Sequence, residues 1–138
     1  MRKLFVHTNI VIDLLSRREP FFEEAAMLFS LADRKQIELA VSSITIANTS
    51  YALLRQMDSN KAKSILRKLR LIVKILPLDD KIIGLALNDE IFTDFENKLQ
   101  YFTAIENGQE LIITRDLKDF KNSKLPAMTG KQFIESIE

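Results

Sequence analysis

The chain has 138 residues, a formal net charge of +1, and 46% hydrophobic and 28% charged residues. That length suffices for one domain with its own core, and the near-zero charge excludes a polycation, so any nucleic-acid surface has to be a local patch. The absence of cysteine excludes disulfides, thiolate metal sites and cysteine nucleophiles, and fits a reducing, cytoplasmic setting; no signal peptide and no membrane-spanning stretch is expected.

The first strand is predicted at Lys3-Leu4-Phe5-Val6, a short run of strand-forming residues. His7-Thr8-Asn9 follows, with Thr8 or Asn9 capping a helix whose apolar face is Ile10, Val11, Leu14 and Leu15. Pro20 opens a second helix from about Phe21 to Ala32. Residues 36–41 end in a second strand, Leu39-Ala40-Val41. Ser42-Ser43 caps a third helix over residues 44–56, and Asp58-Ser59-Asn60 precedes a fourth over residues 61–71. Val73-Lys74-Ile75-Leu76 is a third strand, stopped by Pro77. Asp79 or Asp80 caps a fifth helix, and a sixth begins near Asp94 and stops at Asn107-Gly108. A fourth strand centres on Leu111-Ile112-Ile113, a short fifth on Ala127-Met128, and Thr129 caps the last helix.

Strands alternating with helices predict an α/β fold. It is a three-layer α/β/α sandwich around a mainly parallel sheet of four or five strands, in a single domain spanning the chain. In such sheets ligands bind just beyond the carboxyl ends of the strands. The junctions to search are therefore His7-Thr8-Asn9, Ser42-Ser43, Leu78-Asp79-Asp80 and Thr114-Arg115-Asp116. His7 is the only histidine. On the sixth helix Asp94, Asn97, Lys98 and Tyr101 are spaced to share a polar face, opposite Phe95, Leu99, Phe102 and Ile105. A polar face beside a sheet edge can hold a hard cation through oxygens, and such ions hydrolyse phosphodiesters by stabilising the attacking and leaving oxygens.

The pieces VHTNIVIDLL, SSITIANTSYALL, DFENKLQYFTAIENG and ITRDLKDFKNSKLPAMT resemble PIN-domain proteins, in particular the bacterial branch near VapC-like toxins of type II toxin–antitoxin pairs. The resemblance covers nearly the whole chain in motif order. It implies a Mg²⁺- or Mn²⁺-dependent endoribonuclease with an acidic site, an RNA substrate, a small antitoxin protein as partner, and a homodimer. Residue by residue, the first motif of the family reads Asp-Thr-Asn with the Asp as metal ligand; here His7 stands in that place while Thr8 and Asn9 match. The second position falls at Asn48. The third, normally Asp, is Asn97, with Asp94 and Glu96 nearby. The fourth, after Thr-Arg, is Asp116, and Asp119 also matches the family pattern.

The resemblance thus gives Asp116, His7 and Asn97 as candidate catalytic residues; Asp94, one helical turn from Asn97, is added as a second carboxylate, and Asp116, Asp94 and His7 are the candidate metal ligands. Thr8, Asn9, Asn48 and Thr114 are expected to shape the site. Depleted of acids, the set suits Mn²⁺ better than Mg²⁺, because imidazole nitrogen prefers transition ions. His7 is alternatively a general base or a hydrogen-bonded polar residue at a degenerate site, which would leave a catalytically inactive module that binds RNA or protein. Arg17, Arg18 and Arg115 are the expected RNA contacts. Lys63, Arg67, Arg70 and Lys74 would form a basic stripe on a continuous helix, with its end in doubt at Lys74, or else a solvated face. Asp13 is expected to be a solvated surface acid, and Asp119 to organise its turn through backbone hydrogen bonds.

Overall fold

Five short apolar runs pair side by side in parallel: β1 (Lys3–Val6), β2 (Glu38–Ser42), β3 (Val73–Leu76), β4 (Leu111–Ile113) and β5 (Ala127–Met128), in the order β3-β2-β1-β4-β5. The computed structural model describes every residue from Met1 to Glu138. Seven helices connect and flank the strands: α1 (Thr8–Leu15), α2 (Phe22–Asp33), α3 (Ser43–Leu54), α4 (Ser59–Arg70), α5 (Asp80–Asn88), α6 (Phe95–Glu106) and α7 (Gly130–Ile137). None is long and apolar enough to cross a membrane.

The strands are apolar on both faces because both faces are covered. Alternate residues feed two separate cores. Leu4 and Val6, Leu39 and Val41, and Leu111 and Ile113 pack with Ile10 and Val11 of α1, Leu28 and Phe29 of α2, Leu69 of α4 and Phe133 of α7. Phe5, Ala40 and Ile112, on the other face, meet Tyr101 and Ala104 of α6, with Phe92 and Phe120. A smaller cluster of Ile82, Ala86 and Leu99 joins α5 to α6. The three-layer parallel arrangement expected from the alternation of elements is the one observed.

Local signals set most boundaries. Ser42, Asp58, Asp79, Asp94 and Thr129 each cap a helix with a side-chain oxygen, Thr129 in a reciprocal capping box with Gln132. Gly108 takes φ +65° just after α6, where a side chain would be strained. α1 departs from expectation. Its N-cap is His7, and no side chain caps it, because the Thr8 hydroxyl is engaged by tertiary partners instead. The inward face of α6 also differs. Tyr101 is buried against Phe92 and Phe120 whereas Phe95 is exposed, so the supposed polar face is largely a core face. Lys74 lies in β3 rather than on α4. Val73 and Ile75 face the core that Leu69 of α4 joins, so Lys74 points to the opposite side of the sheet.

Asp13 is the largest correction. It is 1% exposed, not solvated, and receives two hydrogen bonds from Arg115, Nε to Oδ2 at 2.7 Å and Nη2 to Oδ1 at 3.0 Å. The guanidinium also stacks 3.8 Å from the centre of the Phe21 ring. This planar fork ties the loop after β4 to α1 and to the entry of α2, the geometry for which arginine is suited. Asp13→Ala would leave the guanidinium without its partner, and urea unfolding should show a loss of about 3 kcal/mol. A loss under about 1 kcal/mol, as for surface pairs, would contradict this anchoring role.

Candidate functional site

The sheet order places β1 between β2 and β4, the point at which the chain has built outward in both directions. That is where a crevice opens in an open parallel sheet. Val6 and Ile113 are in register, so the next residues, His7 and Thr114, sit side by side at the carboxyl edge. The His7 amide N–H still donates to the Ile113 carbonyl at 2.9 Å, extending the ladder one step. Both side chains are buried, His7 being 6% exposed.

The imidazole has a partner on each nitrogen. Nε2 lies 2.9 Å from Asn97 Oδ1 on α6, and Nδ1 lies 3.1 Å from the Thr114 hydroxyl. The Asn97 amide group donates from Nδ2 to Asp119 Oδ2 at 3.3 Å. A carboxylate only accepts, so Asp119 turns the NH₂ end of Asn97 toward itself and leaves Oδ1 facing His7. Nε2 must therefore carry the proton and donate to Asn97, while Nδ1 accepts from Thr114. Thr114 in turn accepts the backbone N–H of Asp116 at 3.0 Å. One directed chain runs from the Asp116 amide through Thr114, His7 and Asn97 to Asp119. The ring is held from the side by an edge-on contact with Phe120, centroids 5.3 Å apart.

A second buried network lies beside the first. Gln100 holds Thr8 at two points, accepting its backbone N–H at 3.3 Å and donating Nε2–H to its hydroxyl at 3.0 Å. The same hydroxyl shares a proton with Thr45 of α3 at 2.8 Å. Gln100 and Thr45 are fully buried. Neither stood out in the sequence, although Gln100 lies one turn beyond Asn97 and so faces the same way.

The other candidates are placed as follows. Asp94 is exposed and its Oδ1 accepts the Asn97 amide N–H at 2.9 Å, so its carboxylate caps α6. Asn48 of α3 donates to Glu96 of α6, a contact that spans the two helices. Asp116 and Asp119 are both exposed in the turn after β4, closed by the Asp119 N–H to Asp116 carbonyl bond at 3.0 Å. Asn9 sits in the first turn of α1 with its Oδ1 buried and unbonded. Arg17 and Arg18 are exposed after α1, Arg17 with its guanidinium 5.5 Å from the Phe22 ring centre. Arg115, expected as a free cation for RNA, is taken up by Asp13 and Phe21.

Three side chains thus converge at the sheet edge, but each of their donor groups already has a hydrogen-bond partner: the two His7 nitrogens, the Asn97 carbonyl and the Asp119 carboxylate. No group of three or more His, Asp or Glu side chains comes together anywhere in the chain with the spacing of a metal site. Away from this edge, Glu106 beside the exposed Lys81 raises the lysine above its ordinary range, first by hydrogen bonding and then by charge.

The PIN-domain family model matches residues 3–118. Ribonuclease VapC1 of Aquifex aeolicus (strain VF5) is 29% identical over 137 residues, covering 96% of this chain and 94% of that protein. Among solved structures, VapC20 of Mycobacterium tuberculosis, a toxin that cleaves the sarcin–ricin loop, superposes with a TM-score of 0.67 at 18% identity, covering 88% of this chain and 95% of that one. VapBC2 of Rickettsia felis, bound to a fragment of promoter DNA, gives 0.61 at 21% identity over 91% and 96% of the two chains. The strand order, the edge at which the motifs meet and the family match over most of the length agree, and the chain belongs to the PIN-domain family, resembling its VapC-like branch.

Proposed function

We propose that this PIN domain keeps the scaffold of VapC-type ribonucleases but has exchanged an acidic metal cradle for a neutral hydrogen-bonded cluster, and that it binds RNA without cleaving it through a divalent ion. The observation that carries this reading is His7, at the centre of the edge with both ring nitrogens committed, Nε2 to Asn97 and Nδ1 to Thr114. A metal ligand must present a free lone pair. Nε2 has none, and Nδ1 could offer its own only by losing Thr114. Mg²⁺ asks for near-octahedral oxygens, usually including one or two carboxylates, and a transition ion for two or three well-placed donors. The carboxylates at hand are exposed, and two of them already accept hydrogen bonds: Asp94 caps α6 and Asp119 holds Asn97. The donors present do not fit a resident divalent ion.

The competing reading is a Mn²⁺-dependent ribonuclease with His7, Asp94 and Asp116 as ligands. It draws support from Asp116, exposed at the same edge, and from the kinship with ribonuclease VapC1. It requires His7 to give up the hydrogen-bond partner of whichever ring nitrogen takes the ion. Under either reading a small antitoxin protein is the expected macromolecular partner, since related solved chains include VapBC2, captured as a complex; a homodimer and a cytoplasmic location are further expectations from the resemblance.

Metal binding separates the two. Calorimetric titration of the purified protein with Mg²⁺ or Mn²⁺ should show no saturable heat, and single-stranded RNA should remain intact with either ion. Saturable Mn²⁺ binding together with cleavage that Asp116→Ala abolishes would sink the proposal. The double variant His7→Asp, Asn97→Asp places two carboxylates next to Asp119 and frees the edge of its neutral chain. It should gain saturable Mg²⁺ binding; unchanged titrations for a folded double variant would mean that the lost acids are not what keeps metal out.

A further inference from the structure

The charge of this chain is strongly segregated. Seven of the 20 Lys and Arg residues, and one of the 19 Asp and Glu, lie between Arg55 and Lys74. That segment carries +6, which leaves the rest of the chain at −5. Helix α4 is the centre of it. Lys61, Lys63, Arg67, Lys68 and Arg70 are all exposed, the helix contains no acid, and none of the five lies within ion-pair distance of a carboxylate. At 100° per residue, Lys63, Arg67 and Arg70 fall within about 60° of helix arc. They form one stripe, with Lys61 and Lys68 on the opposite flank of the buried face.

A solvated helix normally intersperses signs, because like charges at i, i+3 and i, i+4 repel. Here Lys63–Arg67 and Arg67–Arg70 are such pairs, with nothing to offset them. Cations in the last turn suit the helix dipole, which accounts for Arg67, Lys68 and Arg70 but not for Lys61 and Lys63 near the start. The apolar side of α4 is spent on the fold: Ala62 and Leu69 are buried, and Leu66 packs on the core. No apolar face remains to enter a bilayer, as an interfacial helix would need; Leu71, exposed beyond the helix end, is a single side chain. A polyanion that touches only the cationic side is the occupant this surface fits.

We infer that the stripe Lys63–Arg67–Arg70 on α4 is a docking surface for the phosphate backbone of single-stranded RNA, separate from the His7 edge. The choice of RNA over other polyanions rests on the RNA-binding reading proposed above. Contacts of this kind carry little sequence information and are strongly salt-dependent. They would tether a long RNA beside the sheet's β3 edge, on the opposite side of β2 and β1 from β4 and β5.

The test is binding of a fluorescent oligouridylate in EDTA, so that the outcome does not depend on whether the His7 edge accepts a metal. The triple variant Lys63→Gln, Arg67→Gln, Arg70→Gln should lower the slope of log K against log salt by about 2, from roughly 0.7 per single-strand phosphate contact. Raising salt from about 50 to about 200 mM should then cost the native protein roughly 20-fold more affinity than it costs the variant. A control variant, Lys118→Gln with Lys121→Gln, should leave the slope unchanged. If the triple variant fails to fold by circular dichroism, Arg67→Gln alone should lower the slope by about 0.7. An unchanged slope in the folded variant, a slope lost in the control instead, or no RNA binding by the native protein would each overturn the inference. So would tighter binding, lost in the triple variant, to duplex DNA or to phosphatidylglycerol vesicles than to the oligouridylate.

Discussion

The hydrogen bond between His7 and Asn97 is the constraint on which the carboxyl edge of this sheet depends. It joins the end of β1 to α6 across 90 residues of sequence, and it fixes the proton on Nε2, which decides what every neighbour can do. Thr114 must donate to Nδ1, so its oxygen is free to accept the Asp116 amide. Asn97 must present its carbonyl to the ring, so its NH₂ reaches Asp119. Reversing any one member would leave a buried polar atom without a partner, at a cost of about 1–3 kcal/mol. The cluster is therefore a set of mutually consistent choices rather than a collection of contacts.

This consistency explains how neutral groups can fill the carboxyl edge of the sheet. Carboxylates gathered at one edge repel unless a cation sits among them. An imidazole, an amide and a hydroxyl satisfy one another by hydrogen bonds between β1, β4 and α6. The second network, Thr8–Gln100–Thr45, holds the same strand-to-helix turn from the other side. The Asp13–Arg115 pair clamps the loop that carries Asp116. Between them these three devices position the edge.

Much of the architecture was legible in the residues. Apolar runs of strand formers separated by capped helical patterns led directly to a parallel sheet between helices, and Ser42, Asp58, Asp79 and Thr129 marked helix starts because capping is a local interaction. What the residues did not disclose was tertiary. Asp13 reads as a surface acid until Arg115, 102 positions away, folds onto it. Tyr101 reads as polar until its ring meets Phe92. Gln100 reads as an ordinary helix former until Thr8 needs its amide. At the candidate site His7 and Thr114 were legible as strand-end residues and Asn97 through the helix face and the PIN resemblance, yet the role of Nε2 could not be read from either, because it depends on which amide end of Asn97 Asp119 selects.

Having a single histidine makes the tautomer at this edge directly measurable. A long-range ¹H–¹⁵N spectrum of the native protein near neutral pH contains one pair of imidazole nitrogens, with no assignment needed. The expected spectrum is that of an Nε2–H tautomer whose two nitrogen shifts stay in place when Mg²⁺ or Zn²⁺ is added in excess. A spectrum in which Nε2 is unprotonated, or in which either nitrogen moves on addition of the metal, would contradict it.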